Sequence, residues 1–371
     1  MINLLTIAPY NFLPAHTGGQ KAMFLLYKYI ARKVNITCVS TQTNDLSKAP
    51  FEVLPLFSDS PLRYINPLYF FKLKKLIRKR DISHVSIEHP YMGMLGLMLK
   101  NMCEVKLIVR SHNIEAVRFK SLNKWWWPLL QWYERYVHRR ADHSFFITEE
   151  DRLYAVEHYK LAENKTSVLT YGSEIAQSMS IEEKKEEVKK IKAAYKVPQE
   201  MPLLLFNGSF NYEPNLNALQ LLLNKILPLL LEKTTNFHLL VCGKNIPESI
   251  MNTAFPQTTI AGFVDDIDAV FKGSDIFLNP VWQGGGIKTK LVEALCYSCS
   301  AVSFENGAIG IPENIVDGKI SIVDDEDSGA FADAVIHQAS TTDHVVPHKF
   351  YFHFAWENIA QRFVDKINTM D

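Results

Sequence analysis

The chain has 371 residues, of which 47% are hydrophobic and 22% charged, with 40 Lys/Arg against 40 Asp/Glu. That composition excludes a disordered or low-complexity protein, and the length exceeds one ordinary core, so two domains are expected. The zero net charge hides an imbalance: residues 1–175 hold 24 Lys/Arg and 15 Asp/Glu, a balance of +9, and the remainder holds 16 and 25, a balance of −9. A basic first half beside an acidic second half fits an anionic membrane surface, an anionic acceptor, or two complementary domain faces.

Residues 2–9 are an apolar run ending at Pro9. No basic segment precedes them, so they read as a buried first strand rather than a signal peptide. A glycine loop, Thr17-Gly18-Gly19-Gln20, leads to a helical pattern over 21–32 and a strand at 35–40, which together make a βαβ unit. The alternation continues with helix 67–80, strand 83–88, helix 91–101, strand 105–111, long helix 123–140, strand 143–147, helix 149–159 and strand 166–170. Glu and Lys then crowd residues 182–190, which marks 175–199 as a polar linker helix between domains 1–174 and 200–350. The second domain repeats the alternation, with strands at 203–207, 237–242, 259–261, 276–279, 300–304 and 320–322. Helices are expected at 214–233, 247–254, 265–272, 288–298 and 327–338. An amphipathic helix at 356–367, within a closing segment 351–371, is expected to pack back toward the first domain. The fold class is α/β, with two Rossmann-like, doubly wound parallel-sheet domains.

No run reaches the roughly 18 uninterrupted apolar residues needed to span a bilayer. The five cysteines are odd in number and scattered, and Cys296 and Cys299 lack a second pair or nearby histidine to complete a zinc site. They read as small buried residues of a cytoplasmic protein.

Residues 280–295, Pro-Val-Trp-Gln-Gly-Gly-Gly-Ile-Lys-Thr-Lys-Leu-Val-Glu-Ala-Leu, carry the most chemistry. Gly284, Gly285 and Gly286 leave backbone amides that a phosphate can approach. Lys288 and Lys290 follow, and a helix starting there would aim its unpaired N–H groups at the same anion. Glu293, about one turn in, can accept from a diol such as ribose. Amides, two cations and an acceptor at this spacing suggest a nucleoside-diphosphate site. The Gly18-Gly19 loop lies where α/β sheets bind ligands, but it matches neither a G-x-G-x-x-G fingerprint nor a P-loop. It either makes a turn or meets a ligand. His112, just past strand 105–111, either donates to a sugar hydroxyl or phosphate oxygen or makes a structural hydrogen bond. Arg110 either contacts an anion or pairs with Glu88 or Glu115. Asp266-Ile267-Asp268 and Asp325-Glu326-Asp327 have the D-x-D spacing of some metal sites, yet Asp265 and Asp266 precede a helical pattern. Capping explains them, and no metal is expected.

Trp125, Trp126 and Trp127 sit with further Trp, Lys and Arg residues between 121 and 140, and residues 69–80 are apolar on one side and cationic on the other. This is the chemistry of peripheral contact with an anionic membrane; the alternative is a core helix with ordinary surface cations. No recognition motif for nucleic acid accompanies the charge.

The Gly284–Leu295 stretch resembles the donor-site signature of GT-B glycosyltransferases, above all family 4, the retaining "glycosyl transferases group 1". The Gly18-Gly19 loop, His112-Asn113-Ile114-Glu115, Tyr133-Glu134, Asn207-Gly208-Ser209 with Pro214-Asn215, Gly262–Asp266 and Trp356-Glu357 occur in the expected order. The resemblance implies two Rossmann domains facing a central cleft, a nucleotide-sugar donor held by the second and a glycan or lipid-linked acceptor held by the first. It implies that Gly284, Gly285 and Gly286, with Ile287 and Thr289, meet the phosphates or donor sugar, that Lys290 and Lys288 neutralise the diphosphate, and that Glu293 holds the ribose. Phe263 and Val264 would meet the base through backbone groups, with Gly208, Gly310 and Ile311 lining the donor side. Gly18 and Gly19 would reach the phosphates, His112 would contact the transferred sugar, and Arg110 would lie on the acceptor side. The donor is a substrate, and no cofactor or metal is expected. Two departures stand out. Gly286 occupies a position where the family often has an acidic residue, and 207–215 carries no cation where many members have Arg and Lys. Two other readings remain: a GT-B epimerase, or a silent nucleotide- or glycan-binding scaffold.

Overall fold

The computed structural model describes residues 2–341 and 345–370. The chain divides into two compact units, residues 1–172 with 354–371, and residues 173–353.

The first unit contains β1 (Asn3–Ile7), β2 (Asn35–Thr41), β3 (Glu52–Phe57), β4 (His84–Glu88), β5 (Lys106–Ser111), β6 (His143–Phe146) and β7 (Thr166–Val168). They form one sheet in the order β3-β2-β1-β4-β5-β6-β7, and every adjacent pair is parallel. The second unit contains β8 (Leu203–Ser209), β9 (His238–Lys244), β10 (Thr258–Gly262), β11 (Ile276–Asn279), β12 (Ser300–Phe304) and β13 (Ile320–Val323). Their order is β10-β9-β8-β11-β12-β13, again all parallel. Central strands such as β4, β11 and β12 are buried along their whole length, as strands covered by helices on both faces must be.

Both sheets reverse their direction of growth at their first strand. β1 lies between β2 and β4, and β8 lies between β9 and β11. The connections leaving β1 and β4 therefore run to opposite faces, as do those leaving β8 and β11. The crevice between them, at the carboxyl ends, is where open α/β sheets bind ligands.

Several elements differ from the sequence reading. Gly18 and Gly19 form the first turn of the helix Gly18–Ile30 rather than a loop before it. Glycine alone disfavours a helix, but Thr17 and Gln20 make a reciprocal capping box that fixes the start three residues early. β3 is not among the predicted strands because Pro55 interrupts it; at the sheet edge a missing amide costs no ladder bond. The expected helix 123–140 is Trp127–Arg140 with Pro128 in its first turn, and Glu115–Ser121 is a separate helix. The expected helix 214–233 opens into a π turn at Leu222–Ile226, just before Pro228, which has no amide to donate.

The charged helix Ile181–Ala194 lies in the second unit, with a capping box of Ser180 and Glu183. It packs closely on the helix Ile267–Lys272, so that a side chain at Gly273 would come within 2.2 Å of Ile191. The closing helix, Trp356–Asn368, belongs to the first unit. It buries Trp356, Ile359, Phe363 and Ile367, and the Phe363 ring packs at a tilt against Phe145 of β6, with centroids 5.3 Å apart. At its start Glu357 pairs with Lys33 and Arg32, just past the helix Gly18–Ile30. Phe363→Ala should therefore cost the first unit about 3–5 kcal/mol, read as a lower midpoint in urea denaturation.

Candidate active site

Adjacent strand ends in the first unit bring several ionisable side chains together. Glu88 closes β4, and Arg110 stands beside it in register on β5. They are 1% and 0% exposed, so neither charge can rely on water. Arg110 Nη1 donates to Glu88 Oε2 at 2.9 Å, His112 Nε2 lies 2.5 Å from the same oxygen, and Tyr27 donates to Oε1 at 2.9 Å. This decides between the two pairings open to Arg110. Glu115 is held instead by Arg118 at 2.9 Å and Asn113 at 3.2 Å, with His89 Nδ1 at 3.3 Å.

Burial alone would raise the Glu88 carboxyl, but the Arg110 charge and the hydrogen bond from His112 hold it down to about 2. His112 is pushed down to about 4, first by burial and then by His89 and Arg110. Its ring is therefore neutral near pH 7. Nε2 faces a carboxylate at 2.5 Å and so carries the proton, while Arg110 Nη1, 3.1 Å away, is a neighbour rather than a donor to it. Nδ1 is left as an acceptor, and it points toward Gly19, where a side-chain carbon would lie 3.8 Å from it.

In the second unit the residues after β11 run through Gly284–Gly286 into the helix Thr289–Cys296. Gly284 and Gly286 have φ of +83° and +70°, and a side chain at 284 would also meet the Tyr212 hydroxyl at 2.7 Å. Glycine is required at 284 on both grounds. Lys288 Nζ turns back on the loop, donating to the carbonyls of Gly286 at 3.1 Å and Gly284 at 3.3 Å. Asn217 fastens the other end through Gln283 at 2.8 Å, and beneath it Asn279 donates to Ser303 Oγ and the Gly307 carbonyl, both at 2.9 Å. Thr289, Lys290 and Glu293 are half-buried on the helix that follows, with Lys290 and Glu293 three residues apart and so on one face. The result is a braced loop at a helix start beside the switch point, the arrangement that favours an anion.

Two sequence profiles of one family match most of the chain: "Glycosyltransferase Family 4" over residues 17–174 and "Glycosyl transferases group 1" over residues 201–340. The chain is a family 4 glycosyltransferase. No curated protein sequence matches it. Solved structures share the fold over its whole length. Sucrose-phosphate synthase from Thermosynechococcus elongatus is 14% identical with a TM-score of 0.73, covering 100% of this chain and 99% of its own. Anabaena Alr3699/HepE in complex with UDP-glucose is 12% identical with a TM-score of 0.72, covering 100% of both chains. WaaG, a glycosyltransferase involved in lipopolysaccharide biosynthesis, is 14% identical with a TM-score of 0.60, covering 98% and 95%. The fold of the transferase is GT-B.

The remaining expected residues fall as follows. Gly208 is in β8, in register with Gly243, whose missing side chain lets the Gly208 carbonyl approach. Phe263 is exposed and Val264 half-buried just after β10. Gly285 and Ile287 are half-buried in the glycine loop. Gly310 has φ of +84°, and the adjacent Ile311 is buried. Asn306, four residues before Gly310, accepts from Lys288 at 3.4 Å, so these two loops of the transferase touch. Asp266 and Asp327 are helix caps, bonded to the amides of Ala269 and Ala330. Trp125 is 88% exposed, Trp126 packs on Phe119, and Trp127 lies under Lys120. Arg110, expected on the acceptor side, is wholly buried against Glu88.

Sequence reasoning missed His89, Tyr10 and Lys244, and named Glu88 only as one of two partners open to Arg110. Lys244 ends β9 in register with Ser209, and its Nζ stands 5.0 Å above the Phe263 ring. The neighbouring strand thus ends in a cation beside the cation-free segment 207–215. The available signal was position, since Glu88-His89 and Lys244 both sit at carboxyl ends beside a switch point.

Glu88→Gln leaves the buried Arg110 guanidinium without its counter-charge and should cost about 3–5 kcal/mol at neutral pH. Depressed values in the fold mean that the unfolded chain binds protons first. His112 lies at about 4 against 6.5, so stability should fall as pH drops from 6.5 toward 4; Glu88, at about 2 against 4.5, extends the loss from 4.5 toward 2. In pH-dependent urea unfolding the gap between wild type and Glu88→Gln should close across that lower window.

Proposed function

We propose that the transferase moves a sugar from a nucleoside-diphosphate sugar to an acceptor hydroxyl with retention of configuration, in the synthesis of a cell-surface polysaccharide or glycolipid. The observation that carries this is the braced glycine loop opening the helix Thr289–Cys296, with Lys290 and Glu293 on one helix face. Complexes of HepE with UDP and with UDP-glucose, and the role of WaaG in lipopolysaccharide biosynthesis, support it at the level of the shared fold.

In this reading the amides of Gly285 and Gly286 and the charge of Lys290 meet the diphosphate, while Lys288 shapes the loop and adds its field. Glu293 accepts from the ribose, and the backbone of Phe263 and Val264 meets the base. Lys244, over Phe263, adds a cation on that side. The bond from the anomeric carbon to the phosphate oxygen breaks and the bond to the acceptor oxygen forms on the same face. The departing phosphate oxygen takes the acceptor's proton, and positive groups fixed before the reaction lower the cost of its charge. In the first unit the neutral His112, with Nδ1 as an acceptor, serves a hydroxyl of the transferred sugar.

Lys290→Ala should lower kcat about 10²–10³-fold, the scale of losing one charge-stabilising group. Glu293→Ala should chiefly weaken nucleoside-diphosphate binding. Steady-state kinetics across UDP-, GDP- and ADP-sugars checks both, and unchanged turnover by Lys290→Ala contradicts the assignment.

We further propose that the transferase reaches a lipid-linked acceptor by peripheral contact with an anionic membrane at the cytoplasmic face. Among the described residues no helix is long and apolar enough to cross a membrane. Leu62, Ile65, Leu68 and Phe71 are 62–77% exposed beside Lys72, Lys75 and Lys79, an apolar patch flanked by cations. Phe71→Asp should reduce sedimentation with phosphatidylserine vesicles, and the wild-type binding should weaken as salt rises.

A further inference from the structure

Beside the Glu88–His112 pair lies a second chain of polar groups that the reading above does not use. Its centre is His89, whose backbone has φ 57° and ψ 158°. That region is nearly confined to glycine, so a histidine there is held by its surroundings. Pro90 sets the extended ψ, and the His89 amide donates to the Arg110 carbonyl at 2.8 Å. The ring is 5% exposed, stacked on Tyr91 with centroids 5.0 Å apart and 4.2 Å from the His112 ring.

Each ring nitrogen has a defined neighbour. Nδ1 is 3.3 Å from Glu115 Oε1, a buried carboxylate that Arg118 and Asn113 anchor from the other side. Nε2 is 3.1 Å from the Tyr10 hydroxyl. With the ring proton on Nδ1, the side of the Glu115 carboxylate, Nε2 accepts the O–H of Tyr10. The Tyr10 oxygen then keeps its lone pairs for something else. It points at the same place as His112 Nδ1: a carbon added to Gly19 would be 3.6 Å from the one and 3.8 Å from the other. Glycine leaves that space open.

We propose that Glu115, His89 and Tyr10 form a relay that presents the Tyr10 oxygen to a hydroxyl of the transferred sugar, opposite His112 across Gly19. The two heads match in kind. Glu88 fixes His112 with Nδ1 as an acceptor, and Glu115 fixes Tyr10 through His89 with its oxygen as an acceptor. Two converging acceptors fit a ligand bearing two donors, such as neighbouring sugar hydroxyls. A phosphate, which only accepts, would meet lone pair against lone pair. The side chains around Gly19 are therefore built for the sugar, whereas family resemblance alone assigned Gly19 to the phosphates. Tyr10 touches the substrate in this scheme, and His89 and Glu115 are positioning residues.

The inference rests on the nucleotide-sugar reading, and the test separates the two. Calorimetry on the full chain compares UDP, GDP and ADP with their glucose conjugates. Tyr10→Phe, which keeps the ring and removes the oxygen, should bind the preferred nucleoside diphosphate as wild type does and its sugar conjugate about tenfold more weakly. His89→Leu, which keeps bulk but cannot accept from Tyr10, should give the same selective loss. The double variant should be no worse than either single one, a coupling that a merely structural histidine would not produce. Equal weakening of nucleotide and conjugate, or no weakening of either, overturns the relay while leaving the donor reading in place. Wild type that binds none of these nucleotides or conjugates overturns the donor reading and the relay with it.

Discussion

The buried carboxylate of Glu88 is the constraint on which the first unit's chemistry depends. A charge that is 1% exposed is tolerable only because Arg110, His112 and Tyr27 converge on its two oxygens. That convergence sets the His112 tautomer and turns Nδ1 outward. It also locks the ends of β4 and β5 to each other and to the helix that starts at Gly18. The strained His89 follows directly on Glu88, so its ring is placed by the same anchor.

The second unit reaches comparable rigidity by other means. Its loop after β11 is held by positive-φ glycines, by a lysine drawn onto its carbonyls, and by an Asn279–Ser303–Gly307 network beneath it. In the reading proposed above, the backbone of this loop is the recognition surface and side chains brace it, whereas in the first unit side chains both make the contacts and brace one another. The two units share a topology, and each places its groups at the carboxyl ends around its first strand.

Much of this was legible in the sequence. Period and punctuation located nearly every strand, because parallel strands buried on both faces read as short apolar runs. The glycine-lysine-glutamate loop was legible because its chemistry is contiguous within one turn of helix. What was not legible depends on pairing between distant residues. Arg110 had two carboxylates to choose from, and only the register of β4 against β5 selects Glu88. Lys244 stands beside the cation-free segment 207–215 because β9 pairs with β8, which no local window reveals. Two local rules also gave way. Gly18 and Gly19 are poor helix formers overruled by the Thr17–Gln20 capping box, and Pro55 sits in a strand because that strand is an edge.

The central claim is that the loop Gly284–Lys290 receives a nucleoside diphosphate. A crystal structure of the transferase with its preferred nucleoside diphosphate tests this most directly. The account predicts phosphate oxygens within hydrogen-bonding distance of the Gly285 and Gly286 amides, Lys290 Nζ on the diphosphate, and Glu293 on the ribose. A diphosphate bound elsewhere on the chain, with that loop unoccupied, would contradict it.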